Sequence, residues 1–403
     1  MPGFSGGEDV LGWNLLNQIA RVHEVWALTR EEDRDSIEQS LRDHPVEGLH
    51  IHYVGLPHWL RPMLRIQGGH QLYYYFWQIR AYFTARSLHK KTQFQLFHHI
   101  TYANDWMASF IGALLPIPYV RGPGGGAHRT PKGFENEYAL SGRIWEKVRS
   151  IGQWFLRRDP FYILGHRRAS AILVCNPDSV AAMPKSWSRK VQLFPVTGVS
   201  CADLTRQPPI DLGDRPFRIL SAGSLLRIKG FSLAIKAFKQ FADKHPNSEL
   251  NIIGSGPEEP RLRKLIHDSV LDSKAHLLGQ MPHDEVLSAM NAHDDFLFPS
   301  LRDGGGAVVI EAMATGTPVI CLDTGGPGMH ITDDWGVKIT PTSPSESVDT
   351  MASALDRLYL NADLRKNLGE AAHERAESAY HWDKLGDRLM EIYQQSLGLR
   401  RDD

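Results

Sequence analysis

Two carboxylates, Asp303 and Glu311, stand with seven residues between them across three consecutive glycines, Gly304-Gly305-Gly306. The apolar run Phe296-Leu297-Phe298-Pro299 precedes them, and Ala307-Val308-Val309-Ile310 leads on with helix-forming character to Gly316-Thr317-Pro318 and a second apolar run. Strand, glycine turn, helix and strand make a parallel βαβ unit whose turn aims bare backbone N–H groups above the sheet. Such a turn favours an anion while the two carboxylates accept hydroxyls. That is the chemistry of a phosphate-linked sugar.

Two further segments belong at the ends of strands in the same sheet. Ser221-Ala222-Gly223-Ser224-Leu225-Leu226-Arg227-Ile228-Lys229-Gly230 places Arg227 and Lys229 where a diphosphate needs neutralising, Arg as a fork and Lys as a point charge. Read alone, they are more simply two solvated cations in a loop. Ile253-Gly254-Ser255-Gly256-Pro257-Glu258 has glycines that permit close backbone approach to a ligand, and alone it is also an ordinary turn. The ensemble decides, because all these residues fall at or just beyond strand C-termini. Glu311, taken singly, is a helix residue favoured by the N-terminal dipole.

The elements that must position these residues alternate. Strands are expected at residues 217–222, 250–253, 275–278, 295–299 and 318–322, with helices at 231–245, 258–272, 284–291 and 307–315 between them. The first half repeats the theme with strands near 23–28, 49–54, 95–100, 119–120, 171–174 and 191–194. The stretch 205–214 is aperiodic and rich in turn formers, so it reads as a linker. The expectation is α/β: two doubly wound, Rossmann-like parallel-sheet domains facing a central cleft. The divisions are residues 1–204, a linker at 205–216, a second domain at 217–378 and a last segment at 379–403.

At 403 residues, 42% hydrophobic and 23% charged, the chain is that of a globular protein of two domains. Cys175, Cys201 and Cys321 show no paired spacing, which points away from a disulfide framework or a zinc site and towards the cytoplasm. No apolar run reaches the roughly 20 residues that span a bilayer. The net charge of −1 conceals an asymmetry: residues 51–200 carry 19 Lys+Arg against 6 Asp+Glu, and residues 201–403 carry 22 against 30. The basic residues Arg80, Arg86, Lys90 and Lys91 share a segment with Tyr73, Tyr74, Tyr75, Phe76, Trp77 and Tyr82. A basic, aromatic helix suits peripheral contact with anionic lipid, and equally a helix with buried rings and solvated charges. Nothing suggests nucleic acid as a partner.

The signatures Gly-x-Leu-x-x-x-Lys-Gly at Gly223–Gly230, Gly-x-Gly-Pro-Glu at Gly254–Glu258 and acid-x7-Glu-Ala-Met-Ala-x-Gly-x-Pro-Val at Asp303–Val319 occur in order. Together they resemble glycosyltransferase family 4, retaining enzymes of the GT-B fold. Leu278-Gly279-Gln280-Met281, Phe194-Pro195-Val196-Thr197-Gly198-Val199 and the late Tyr380-His381-Trp382 add to the likeness, the last implying a helix that crosses back to the first domain. The resemblance implies transfer of a sugar from a nucleoside diphosphate to a hydroxyl of a polysaccharide or glycolipid, without metal or other cofactor. It implies that Glu311 accepts the ribose hydroxyls, that Asp303 holds hydroxyls of the sugar, and that Arg227 and Lys229 grip the diphosphate. Gly6, Gly7, Gly223, Gly254, Gly256, Gly304, Gly305, Gly306 and Val308 would line the donor, with the N–H groups of Gly305 and Gly306 on the phosphates.

The chain departs from the pattern in having the shorter Asp303 where Glu is usual, and glycine where Phe is usual between the flanking glycines. Both changes suggest a wider loop that admits a differently shaped sugar. On the acceptor side Ser5-Gly6-Gly7-Glu8 resembles the family's first glycine loop, and Arg121-Gly122-Pro123-Gly124-Gly125-Gly126-Ala127-His128 the loop where relatives carry an active-site histidine. Pro123 falls near that position, so His99, Gly124 and His128 are candidates by proximity. A GT-B epimerase, or a non-catalytic nucleotide-sugar binder, is the alternative. Because Met1 already lies beside the glycine loop, the first strand of the first domain is expected to be lacking. A break between the strands near 23–28 and 95–100, poor solubility and weak activity as written are the corresponding expectations.

Overall fold

The computed structural model describes residues 7–66, 69–102, 104–134, 140–205 and 215–398. Its first lobe opens with α1 (Gly7–Ala20), β1 (Val25–Arg30), α2 (Arg34–Asp43) and β2 (Leu49–Val54). It continues through α3 (Gly69–Thr92), β3 (Phe97–His99), α4 (Phe110–Leu114) and β4 (Tyr119–Gly124). It closes with α5 (Leu140–Leu156), α6 (Pro160–Arg168), β5 (Ala171–Val174), α7 (Pro177–Ala182) and β6 (Val191–Leu193).

The second lobe runs β7 (Phe217–Ala222), α8 (Phe231–Lys244), β8 (Ser248–Ile253), α9 (Glu259–Asp268), β9 (Ala275–Gly279), α10 (His283–Asn291) and β10 (Asp295–Phe298). Then come α11 (Ala307–Ala314), β11 (Val319–Leu322), α12 (Gly325–His330), β12 (Val337–Ile339), α13 (Pro344–Leu360), α14 (Ala362–Tyr380) and α15 (Trp382–Ser396).

The second lobe has one six-stranded sheet, ordered β12-β11-β10-β7-β8-β9, and every pairing in it is parallel. Alternate residues of each strand enter opposite cores, as the two-residue period of a strand requires. Phe217, Ile219, Leu297 and Ile320 join α8 and α13 on one face, while Leu220, Phe296, Phe298 and Val319 join α11 and α14 on the other. Both faces are covered, so the strands read as near-continuous apolar runs.

The first lobe divides its strands. β3-β4-β5-β6 form one parallel sheet and β1-β2 another, with no ladder between β1 and β3 among the described residues. The break falls where the sequence places it, between the strands near 23–28 and 95–100. Residues 1–6, with Gly6 and its glycine loop, lie outside the described residues, as do 206–214 of the linker. Helix starts are written into the chain: Asp159-Pro160 and Asn176-Pro177 each put a side-chain acceptor before a proline. Asp159 Oδ1 receives the N–H of Phe161 and Asn176 Oδ1 that of Ser179.

The C-terminal segment returns to the first lobe. Val199 donates its N–H to Tyr380 O at 2.9 Å and accepts the N–H of Trp382 at 3.0 Å, an isolated parallel bridge between Val199 and His381, after which α15 buries Trp382, Leu385, Leu389 and Ile392 against Leu11, Leu15 and Ile19 of α1. Arg21 anchors the start of α15 through Asp383 Oδ1 at 2.5 Å.

Candidate active site at the seam of the lobes

The glycine loop after β10 is held from every side. Asp303 Oδ1 accepts the N–H groups of Gly305 (3.1 Å) and Gly306 (2.8 Å), and Oδ2 accepts from Lys229 Nζ. Burial raises the Asp303 carboxyl, but Lys229 and the two N–H donors win and hold it below the usual carboxylate range. The sequence expectation that Gly305 and Gly306 offer their N–H groups to phosphate therefore needs correction: in this structure both are taken by Asp303. Among the described residues no backbone acceptor meets the N–H groups of Ala307 and Val308, in the first turn of α11.

Arg227 and Lys229 sit in a single 3₁₀ turn that Gly230 closes in the left-handed conformation (φ +70°), where a Cβ would lie 2.1 Å from Pro299 O. Arg227 Nη2 reaches Glu258 Oε1 at 3.1 Å, and Glu258 also receives Arg261 at 2.7 Å. Gly254 and Gly256 bring their turn against Gly223 and Leu225, whose carbonyl oxygens would stand 1.9 and 2.6 Å from added Cβ atoms. Both cations are thus held by carboxylates, Arg227 by Glu258 and Lys229 by Asp303.

Glu311 has a different environment. Burial pushes its carboxyl above the ordinary value, opposed by His283 and reinforced by Asp203. His283 lies 3.6 Å from Asp203, which raises the imidazole, and Asp203 Oδ2 in turn accepts Ser200 N–H at 2.7 Å. Nothing in the motif signalled this carboxylate–imidazole–carboxylate chain, because its members come from three separate segments.

The first lobe reaches across. His128 packs its ring on Gly304, where an added Cβ would stand 3.0 Å from His128 Cε1. Burial, then Arg302 and Arg149, lower its pKa to about 4, so the ring is neutral at pH 7, and Nδ1 has no hydrogen-bond partner. Asn176 Nδ2 donates to Gly304 O at 3.0 Å, and Val196 Cγ2 occupies the space 2.3 Å from a Cβ on Gly305. From within the second lobe His330 Nε2 donates to Gly305 O at 2.7 Å, its Nδ1 paired with Tyr380 Oη at 2.9 Å. The three glycines are accordingly sites of close approach. The expected wider loop is filled by His128 and Val196.

The remaining candidates lie elsewhere. His99 bonds Tyr74 Oη at 2.7 Å inside an aromatic cluster under α3, and burial drives its pKa well down. Gly124 is a ladder residue of β4, paired with Val174 of β5. Gly7 opens α1 and Gly223 donates its N–H to Ile253 O at 3.0 Å. Among the described residues no three His, Cys, Asp or Glu side chains are placed to hold a metal ion. At the start of α2, Asp33 pairs with Arg30 and Arg34 with Glu31.

Residues 206–375 match the family described as Glycosyl transferases group 1. The matched residues make up most of the second lobe. Over 193 residues, 45% of this chain and 44% of the relative, the chain is 30% identical to a D-inositol 3-phosphate glycosyltransferase of Corynebacterium jeikeium. Over 173 residues, 41% of this chain and 44% of the relative, it is 30% identical to a GDP-mannose-dependent monoacylated alpha-(1-6)-phosphatidylinositol monomannoside mannosyltransferase of Corynebacterium glutamicum. The matches span less than half the length of these curated relatives. Sucrose-phosphate synthase from Thermosynechococcus elongatus superposes with a TM-score of 0.65 at 18% identity, covering 98% of this chain and 94% of that one. Both lobes therefore share the GT-B fold, two Rossmann-like domains about a cleft. Within that fold the Arg227–Lys229 turn and the Asp303 loop follow the C-terminal ends of β7 and β10, and Glu311 lies on α11 after the loop.

Proposed function

We propose that the chain is a retaining, metal-independent glycosyltransferase that moves a sugar from a nucleoside diphosphate to a hydroxyl of a glycolipid or polysaccharide. The observation that carries this reading is the Lys229–Asp303–Gly305–Gly306 cluster of a group 1 domain, met across the seam by a neutral His128. Glu311 accepts the ribose hydroxyls. Arg227 and Lys229 leave Glu258 and Asp303 for the diphosphate, and the N–H groups of Ala307 and Val308 assist. Asp303, once Lys229 has turned to phosphate, takes a sugar hydroxyl.

The costly event is departure of the diphosphate, because negative charge grows on the β-phosphate as the anomeric C–O bond breaks. Preorganised cations and N–H groups lower that barrier by electrostatics. The leaving oxygen keeps the electron pair of the broken bond and takes the proton of the acceptor hydroxyl on the same face. The acceptor oxygen bonds to the anomeric carbon there, so configuration is retained without a protein nucleophile. His128 stays neutral and orients substrate by hydrogen bonding.

The acceptor side suits a membrane. No described helix is long and apolar enough to cross one. Helix α3 nevertheless exposes Leu72, Phe76, Ile79 and Phe83 at spacings of four, three and four, and carries Arg80, Arg86, Lys90 and Lys91 without any acidic residue. Peripheral docking on anionic lipid at the cytoplasmic face follows, and the two Corynebacterium relatives, named for inositol-phosphate and phosphatidylinositol acceptors, support it.

A thermal-shift screen against UDP-, GDP- and ADP-sugars tests the donor assignment, since a ligand of the folded state raises its stability. At least one should raise the Tm, and Glu311→Ala should abolish that rise. An equal rise in Glu311→Ala would refute the ribose assignment. Excess EDTA should leave the turnover rate unchanged.

A further inference from the structure

Next to His128 the first lobe holds a cavity of ≈360 Å³ that the donor site does not use. Small-molecule sites run from about 300 to 1,000 Å³, so the space is adequate for one headgroup. Arg129 comes to it from the loop after β4, Gln153 from α5, Arg157 from the turn that follows α5, and Asp178 from the start of α7, with three alanines between them. Both β4 and β5 end towards the seam, and α7 packs on α12 of the second lobe, so the cavity lies on the acceptor side of the reacting centre.

Its chemistry is mixed. Arg157 Nε is buried without a hydrogen-bond partner, while its Nη2 lies 3.5 Å from Asp105 Oδ1. Burial, then Asp323 across the seam, raises the Asp178 carboxyl. Two cations, Arg129 and Arg157, meet two carboxylates, Asp178 and Asp105, so no net positive field calls for an anion. Donors and acceptors side by side fit groups that both donate and accept, which is what hydroxyls do.

Helix α5 has a second face. Gln153 and Arg157, one turn apart, look into the cavity, whereas Val148, Ile151, Trp154 and Phe155 stand 50%, 58%, 51% and 63% exposed on the other side. Arg158 stacks over the Trp154 ring at 3.5 Å, and Lys147 is exposed beside Val148. Cations flanking an aromatic and aliphatic strip match the boundary between anionic headgroups and acyl chains. We propose that the cavity seats the polyhydroxylated headgroup of a lipid while the outer face of α5 rests in the bilayer that carries it. This names the acceptor class for the transferase reading, on which the word acceptor rests.

Vesicle sedimentation of the full chain in 0.15 M salt tests it. Phosphatidylcholine vesicles carry either phosphatidylglycerol or, at matched charge, phosphatidylinositol, whose ring supplies the hydroxyls. The full chain should partition about tenfold more strongly onto phosphatidylinositol. Asp178→Asn and Gln153→Ala should each erase that preference while keeping binding to phosphatidylglycerol, and Ile151→Ser with Phe155→Ser should lower both. Equal partition of the parent chain, or a preference that survives in Asp178→Asn, overturns the proposal. Headgroup preference without any sugar transfer would keep the cavity and sink the transferase reading, and transfer to lipid without headgroup preference would do the reverse.

Discussion

The Asp303 carboxylate is enclosed by Lys229 and by the N–H groups of Gly305 and Gly306, while Glu311 faces His283 and Asp203. Their pH responses should differ in sign. The Asp303 value is depressed, so its contribution to stability is full above the unfolded carboxylate range of about 3.9 and is lost as pH falls through the folded value. Glu311 is raised, so its buried charge costs stability that is regained as pH falls through the raised value, and on the proposed assignment protonation weakens its hold on the ribose hydroxyls. Donor affinity measured by calorimetry should weaken as pH is lowered from neutrality, and Glu311→Gln should remove that dependence. Asp303→Glu forces an extra methylene into an enclosed position, and turnover should fall at least about tenfold. Wild-type turnover in that variant would mean that the tight capping of the loop is dispensable.

The loop and its neighbours show what a sequence conveys at the level of elements. Gly304–Gly306 between strand and helix are legible, as are the parallel βαβ unit and the acid-x7-Glu spacing, because glycine and apolar runs report local backbone demands. What fills the loop is not legible. Val196 and His128 arrive from segments more than a hundred residues away, and only their packing explains why a side chain is absent at Gly305. The same reason hides the His330–Tyr380 support and the Glu311–His283–Asp203 chain. A Cβ on Gly305 meets Val196 Cγ2 at 2.3 Å, so Gly305→Ala should impair turnover by wedging the seam apart. Val196→Ala in the same chain should restore part of it. Additive losses in the double variant would place the role of Gly305 elsewhere.

Across the whole molecule, the lobes are tied at the Val199–His381 bridge and meet again where Asn176 holds Gly304 O. Asn176 is fully buried and does two jobs, capping α7 with its oxygen and crossing the seam with its amide. Asn176→Asp keeps the cap and removes the donor, so small-angle scattering should show a more open pair of lobes, with the Tm little changed. An unchanged scattering profile would leave Asn176 as a cap alone. Protonating His128 as pH falls from 6.5 towards 4 should open the seam in the same way, because the ring is held neutral by burial, Arg302 and Arg149.

Transfer itself is the claim on which the rest depends. The purified chain is incubated with the nucleotide sugar that raises its Tm, with and without a lipid extract, and the product is followed by NMR at the anomeric proton. Nucleoside diphosphate should appear only with the extract, and the sugar should enter the lipid fraction in the anomeric configuration of the donor. Nucleotide released at the same rate without lipid, or a product of inverted configuration, would contradict the account.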